Sequence, residues 1–120
     1  MPGNHDPLAE AMLNAQRMAT HAEESAVAGD PSVVHFQVGE TLRYGEMARS
    51  FVEEVLDSTD DEHVVLYGGQ ALESIEGVLD QASQALFSSE VAARKHVQAM
   101  AAHADRSVAE LNTAMGQEAA

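Results

Sequence analysis

The stretch Val65-Leu66-Tyr67-Gly68-Gly69-Gln70-Ala71-Leu72-Glu73-Ser74-Ile75-Glu76-Gly77-Val78-Leu79-Asp80-Gln81-Ala82-Ser83-Gln84-Ala85-Leu86 decides the fold of this chain. Within it Val65, Gly68, Leu72, Ile75, Leu79, Ala82 and Leu86 alternate spacings of three and four, which lays a single apolar or small-residue stripe along a helix. The same rhythm recurs on either side. Leu8, Met12, Ala15, Ala19, Ala22 and Ala26 form one series, and Val34, Val38, Thr41, Gly45, Ala48, Val52 and Val55 another. Val97, Ala101, Ala104, Val108, Leu111 and Met115 follow after the quoted stretch. A helix carrying one such stripe is stable only when it buries the stripe against neighbours.

The punctuation between these segments agrees. Asp6-Pro7 and Asp30-Pro31 each supply an N-cap carboxylate followed by a proline at the first helical position, where its missing N–H costs nothing. Gly29 is expected to close the first helix, Thr59-Asp60-Asp61-Glu62 to form a capping box for the third, and Ser88 or Ser89 to cap the fourth. The helices are therefore expected over about 7–28, 31–57, 60–86 and 89–115, with short ends at Met1 to His5 and Gly116 to Ala120. Short connections make successive helices antiparallel neighbours, so the expectation is all-α: one up-down-up-down four-helix bundle over residues 1–120. Gly39, Gly45, Gly68, Gly69 and Gly77 fall inside helices, each costing about 1 kcal/mol relative to alanine. Tyr67-Gly68-Gly69 is where a kink is expected, with Phe51 of the second helix filling the space that Gly68 leaves.

Composition bounds what such a bundle does. The core of a 120-residue chain with Phe 3, Tyr 2 and Trp 0 is built from small residues, which implies closely approaching helices. A net charge of -14 opposes binding to nucleic acid or to an anionic membrane and favours cations. With Cys 0, neither disulfides nor thiolate metal sites form. No basic and then apolar leader is present and no apolar run approaches a membrane span, so the expected location is cytoplasmic, or periplasmic if a signal peptide has been removed. The expected state is monomer or homodimer.

The histidines and methionines suggest chemistry. Measured from the end that carries both hairpin turns, His21 and His96 each lie about eight residues down, or ~12 Å, which makes them level. Met18 and Met100 fall one turn deeper and His103 deeper again on the stripe of His96 and Met100. If helices one and four face each other through these flanks, His21, Met18, His96, Met100 and His103 share one groove, with His35 of helix two an optional sixth donor. Imidazole nitrogen with thioether sulfur suits copper, while nickel or zinc uses the imidazoles alone. The bland alternative is that the methionines pad a helix seam and the histidines are solvated. His5, Asp60, Asp61 and His63 form a weaker second cluster at the opposite end, where helix capping and solubility already account for the acids.

Enzymatic signatures are lacking. The residues three before the helical histidines are Met18, Ser32, Ala93 and Met100, so the Glu-x-x-His pairs of dinuclear iron bundles do not occur. Nor is there a phosphate loop, a nucleophile elbow or a zinc-protease helix.

The run Thr20-His21-Ala22-Glu23-Glu24-Ser25-Ala26-Val27-Ala28-Gly29, followed by a turn, His35 and an amphipathic helix, resembles the helical hairpin unit of the small metal-binding protein family. The likeness is clearest over the first hairpin and extends loosely through Val91 to Leu111. That family consists of histidine-containing four-helix bundles that bind copper and other divalent metals and sequester them in the bacterial periplasm. The resemblance implies His21 and His35 as ligands. The expected function is thus non-catalytic binding and buffering of transition metals, copper first. Two alternatives stay open. One is a structural or protein-interaction module without metal. The other is a histidine phosphotransfer domain, in which His103-Ala104-Asp105-Arg106-Ser107 replaces the usual histidine followed by lysine and glycine.

Overall fold

A computed structural model of the chain describes residues 6–116. The four segments form α1 (Pro7–Val27), α2 (Pro31–Ser58), α3 (Glu62–Leu86) and α4 (Glu90–Ala114). The carboxylate of Asp6 accepts from the Ala9 N–H at 3.2 Å, and that of Asp30 accepts from the N–H and the hydroxyl of Ser32 at 2.9 and 2.8 Å. The Ser89 hydroxyl caps α4, accepting from Ala92 N–H at 3.3 Å.

Two ends differ from expectation. The cap of α3 is Asp61, whose carboxylate accepts from His63 and Val64 N–H, whereas Thr59 ends α2 by donating its N–H to the Val55 carbonyl. The Thr59 hydroxyl instead accepts from the Asp61 N–H at 3.1 Å, one step ahead of the helix, and Asp61 takes the capping role. Gly29 does not turn left-handed to close α1. Ala28 ends that helix in an extended conformation, φ -70 and ψ 137, and Gly116 is the positive-φ residue among those described. Asp30 is extended as well, φ -89 and ψ 122, because Pro31 disfavours a helical conformation at the residue before it.

α1 packs against α2 and α4, and α3 against the same two helices, so the four helices close into a ring of antiparallel neighbours with the tightest seams inside each hairpin. This is the four-helix bundle. The α2 stripe is buried as spaced, from Val38 through Thr41, Gly45, Ala48 and Val52 to Val55. In α4 the buried series runs Val97, Met100, Ala104, Ser107, Leu111 and Ala114, so Met100, Ser107 and Ala114 replace the expected Ala101, Val108 and Met115. Both series are heptads through Val97. The adopted one places the longer Met100 inside, and the Ser107 hydroxyl is satisfied by the Ala104 carbonyl at 2.7 Å. α1 buries a broader face than expected, adding Ala11, Asn14, Met18 and Ser25. Val65, at the start of α3, lies outside the core and is 46% exposed.

The glycines set how closely the helices approach. A Cβ at Gly45 would lie 2.8 Å from Leu79 Cδ2 and 3.2 Å from Met18 Sδ, so this bare position on α2 receives side chains from α3 and α1 together. Gly68 makes room for Leu56, at 3.2 Å, and not for Phe51. The contacts Gly45–Leu79 and Leu56–Gly68 share one antiparallel register, which puts Phe51 opposite Glu73. α3 runs uninterrupted through Tyr67-Gly68-Gly69.

Gly39 and Gly69 have open space where a Cβ would stand. Gly39→Ala and Gly69→Ala should each raise stability by about 0.5–1 kcal/mol, since alanine loses less backbone entropy on entering a helix. Gly45→Ala should gain nothing or destabilise, because its methyl meets Leu79. Urea unfolding of the three variants checks this, and an equal gain at Gly45 would contradict the packing described.

Candidate functional site

His21, His96 and His103 each meet the other helix of their own hairpin. The Nδ1–H of His21 on α1 donates to Gln37 Oε1 on α2 at 2.5 Å, and its ring stacks on Tyr44 with centroids 5.5 Å apart and planes 2° from parallel. His96 on α4 donates from Nδ1 to Gln81 Oε1 on α3 at 2.7 Å. The ring of His103 lies over Gly77 of α3, 3.1 Å from where a Cβ would be, and Arg106 donates to its Nδ1 at 3.3 Å. His35 is exposed near the start of α2.

The groove expected between α1 and α4 does not assemble from these residues. His21 engages α2, while His96 and His103 engage α3. Met18 and Met100 are fully buried in the core, each 0% exposed. The physical reason is the breadth of the α1 stripe and the phase of α4, which draw both methionines inside, while His21 and His96 each find an acceptor on the hairpin partner.

The second cluster is likewise dispersed. His63 donates from Nε2 to the Thr113 carbonyl at 2.6 Å and tilts against Tyr67 at 4.9 Å, fastening the start of α3 to the end of α4. The Asp61 carboxylate is engaged in capping, Asp60 is exposed, and His5 lies outside the described residues. Among the described residues, no three His, Asp or Glu side chains gather where they could hold a metal ion.

Two features escaped the stripe pattern. One is a cationic and aromatic cluster on the α1–α2 seam. The Arg43 guanidinium lies 4.5 Å from the Tyr44 ring centroid and Arg17 lies 5.8 Å from it. Arg43 also donates to Tyr44 Oη at 3.0 Å and to Glu40 at 2.9 Å, and that hydrogen bond holds the Glu40 carboxyl below its ordinary value. The Glu40-x-x-Arg43 spacing was its sequence signal.

The other feature is a cavity of about 230 Å³ at the end where the two hairpin turns meet. Val34 and Val38 of α2, Ala85 and Leu86 of α3, and Ala93 and Val97 of α4 wall it, and His35, Glu90 and Arg94 bring polar groups to it. Large apolar side chains stand in solvent on the same turns and adjoining helix ends: Val27 (84% exposed), Phe36 (61%), Phe87 (91%) and Val91 (84%). Their signal in the sequence was position, since all four are apolar residues off the stripe and within a few residues of a turn.

No protein-family model, curated protein or solved structure matches the chain. No helix among the described residues is long and apolar enough to cross a membrane.

The Glu23 carboxyl is raised above its ordinary value by its hydrogen bond to Asp105 and by the charge of that neighbour. A carboxyl raised on folding binds a proton more tightly in the folded state, so its contribution is full below the unfolded value near 4.5 and is lost as pH rises through the raised folded value. Asp105→Asn should therefore stabilise the protein at neutral pH, by about 0.5 kcal/mol or less for so exposed a pair, and the gain should vanish near pH 4. Thermal unfolding at the two pH values measures it; a loss of stability at neutral pH would show that the contact is not repulsive there.

Proposed function

We propose that this chain is a non-catalytic helical binding module whose recognition site is the end of the bundle where the two turns meet. The observation that carries this is the cavity of about 230 Å³ there, reached from solvent and walled mainly by apolar side chains. The surface around it supports the same conclusion. Isolated apolar residues are ordinary on any protein surface, but Val27, Val33, Phe36, Phe87 and Val91 concentrate at this one end. With a net charge of -14, the chain is poorly matched to a polyanion, and the apolar walls are matched to an apolar group on the ligand or protein segment.

The neutral fluorophore N-phenyl-1-naphthylamine tests the site. It should bind with enhanced emission and shift backbone amide resonances confined to about residues 25–38 and 85–97. Absence of enhancement, or shifts spread along the helix seams, would overturn the proposal.

Metal binding is a second proposal, favoured by one arrangement. With Nδ1–H of His21 and His96 donating to glutamine carbonyls, each ring keeps Nε2 as its lone-pair nitrogen, the outer hydrogen bond that commonly orients a metal-ligating imidazole. Copper, nickel or zinc would then meet single imidazoles and bind weakly, with Met18 and Met100 joining only if α1 and α4 separate. Titration with Zn(II) should shift the imidazole resonances of His21 and His96 and leave the methyls of Met18 and Met100 unmoved. Binding that survives His21→Ala/His96→Ala would refute this assignment.

A further inference from the structure

We infer that the turn-end cavity takes a small amphipathic monocarboxylate, its hydrocarbon part among Val34, Val38, Leu86 and Val97 and its carboxylate at Arg94. This rests on the proposal that the cavity is a recognition site and specifies what occupies it. Size is the first constraint. A dry apolar cavity of ~150 Å³ holds benzene, so about 230 Å³ accommodates roughly ten heavy atoms, the size of a medium-chain fatty acid or an arylalkanoic acid.

Charge is the second. The chain has six lysines and arginines against 20 acids. Arg43 and Arg49 are paired with Glu40 and Glu46, Arg17 lies over Tyr44, and Arg106 donates to His103. Arg94 and Lys95 make no ion pair or hydrogen bond among the described residues, and of the two it is Arg94 that lines the apolar cavity. In so acidic a chain a guanidinium left without a carboxylate, beside apolar walls, is matched to a carboxylate brought by a ligand. His35 offers a second donor at the same cavity.

Glu90 fixes the number of charges. It also lines the cavity, one turn before Arg94 and without a bond to it. Its carboxylate repels every negative charge the ligand brings beyond the one held at Arg94, which disfavours a dicarboxylate or phosphate ester relative to a monocarboxylate.

Calorimetric titration of the full chain with octanoate, and separately with 1-octanol, tests the assignment on the parent, Arg94→Gln and Ala93→Phe. Ala93 is partly exposed on the cavity wall, so its replacement blocks the cavity with little demand on the deep core; far-ultraviolet circular dichroism confirms that each variant is folded, and Val34→Phe substitutes if Ala93→Phe is not. Octanoate should bind the parent at least tenfold more tightly than octanol, lose at least tenfold in Arg94→Gln, and fail to bind the blocked variant. Octanol binding as tightly as octanoate, with Arg94→Gln indifferent, would overturn the carboxylate assignment while leaving an apolar recognition site. Octanoate binding that survives the block overturns the location. Failure of both ligands and of the naphthylamine probe overturns the recognition site itself.

Discussion

Leu79 and Met18 both rest on the bare α-carbon of Gly45, and this three-helix contact governs the rest of the molecule. It brings α1, α2 and α3 close together at a point where a single added methyl group would collide with Leu79. Around it the core continues in small residues: Ala11, Ala15, Ala19 and Ala22 on α1, Ala48 on α2, and Ala71 and Ala82 on α3. Helices that approach on alanine leave no room in their seams for rings, which explains why His21 and His96 lie partly exposed on the seam flanks with their polar atoms tied to glutamines. The same economy of volume has the opposite effect at the turn end. Ala26, Ala85 and Ala93 are too small to fill the space between the hairpins, and a cavity results.

Most of the fold was legible because it was written in residues whose effects are local. Asp30-Pro31 acts within one turn of itself, and both proline-led helices begin where that signal places them. The α2 stripe was legible for a related reason: the other heptad through Val38 and Val52 would bring Arg49 inside. α4 was harder, since Ala101, Val108 and Met115 are as apolar as Met100, Ser107 and Ala114, and only volume against the facing helices decides between the two heptads. That choice moves Met100 from a flank to the centre. The candidate metal groove depended on the phase of α4, on the flank by which it meets α1 and on the register between them, none of which is encoded within a single helix. The cavity was illegible for a different reason, because a stripe pattern records what is filled and not what is left empty.

Electrostatics acts on the outside of this frame. Glu40 and Glu46 each hold an arginine three residues on, pairs that in solvent contribute little to stability but neutralise part of the acidic α2 surface. Between α1 and α4 the balance is unfavourable, since Glu23 and Asp105 present two carboxyls to each other. The hairpins are joined less closely along this seam than α1 and α2 are to each other, and this pair opposes the joining at neutral pH. The buried Asn14 adds a cost on α1: its amide donates to the Glu10 carbonyl at 2.9 Å, but its Oδ1 has no partner among the described residues. An unsatisfied buried carbonyl costs on the order of 1–3 kcal/mol.

The two hairpins are built alike, with one exchange. His21 on the first helix of one hairpin corresponds in position to Gln81 on the first helix of the other, and Gln37 on the second helix corresponds to His96. The imidazole and its acceptor have changed places while the bond between them is kept, so each pair fastens the two helices of one hairpin and contributes nothing across the hairpin boundary. The turn-end cavity is different in kind. Its walls come from all four helices, so it exists only while the hairpins are docked. A ligand held there binds the assembled bundle and not the separated hairpins, and by mass action it stabilises the docking of one hairpin on the other, including the α1–α4 seam where the chain's own side chains supply the least.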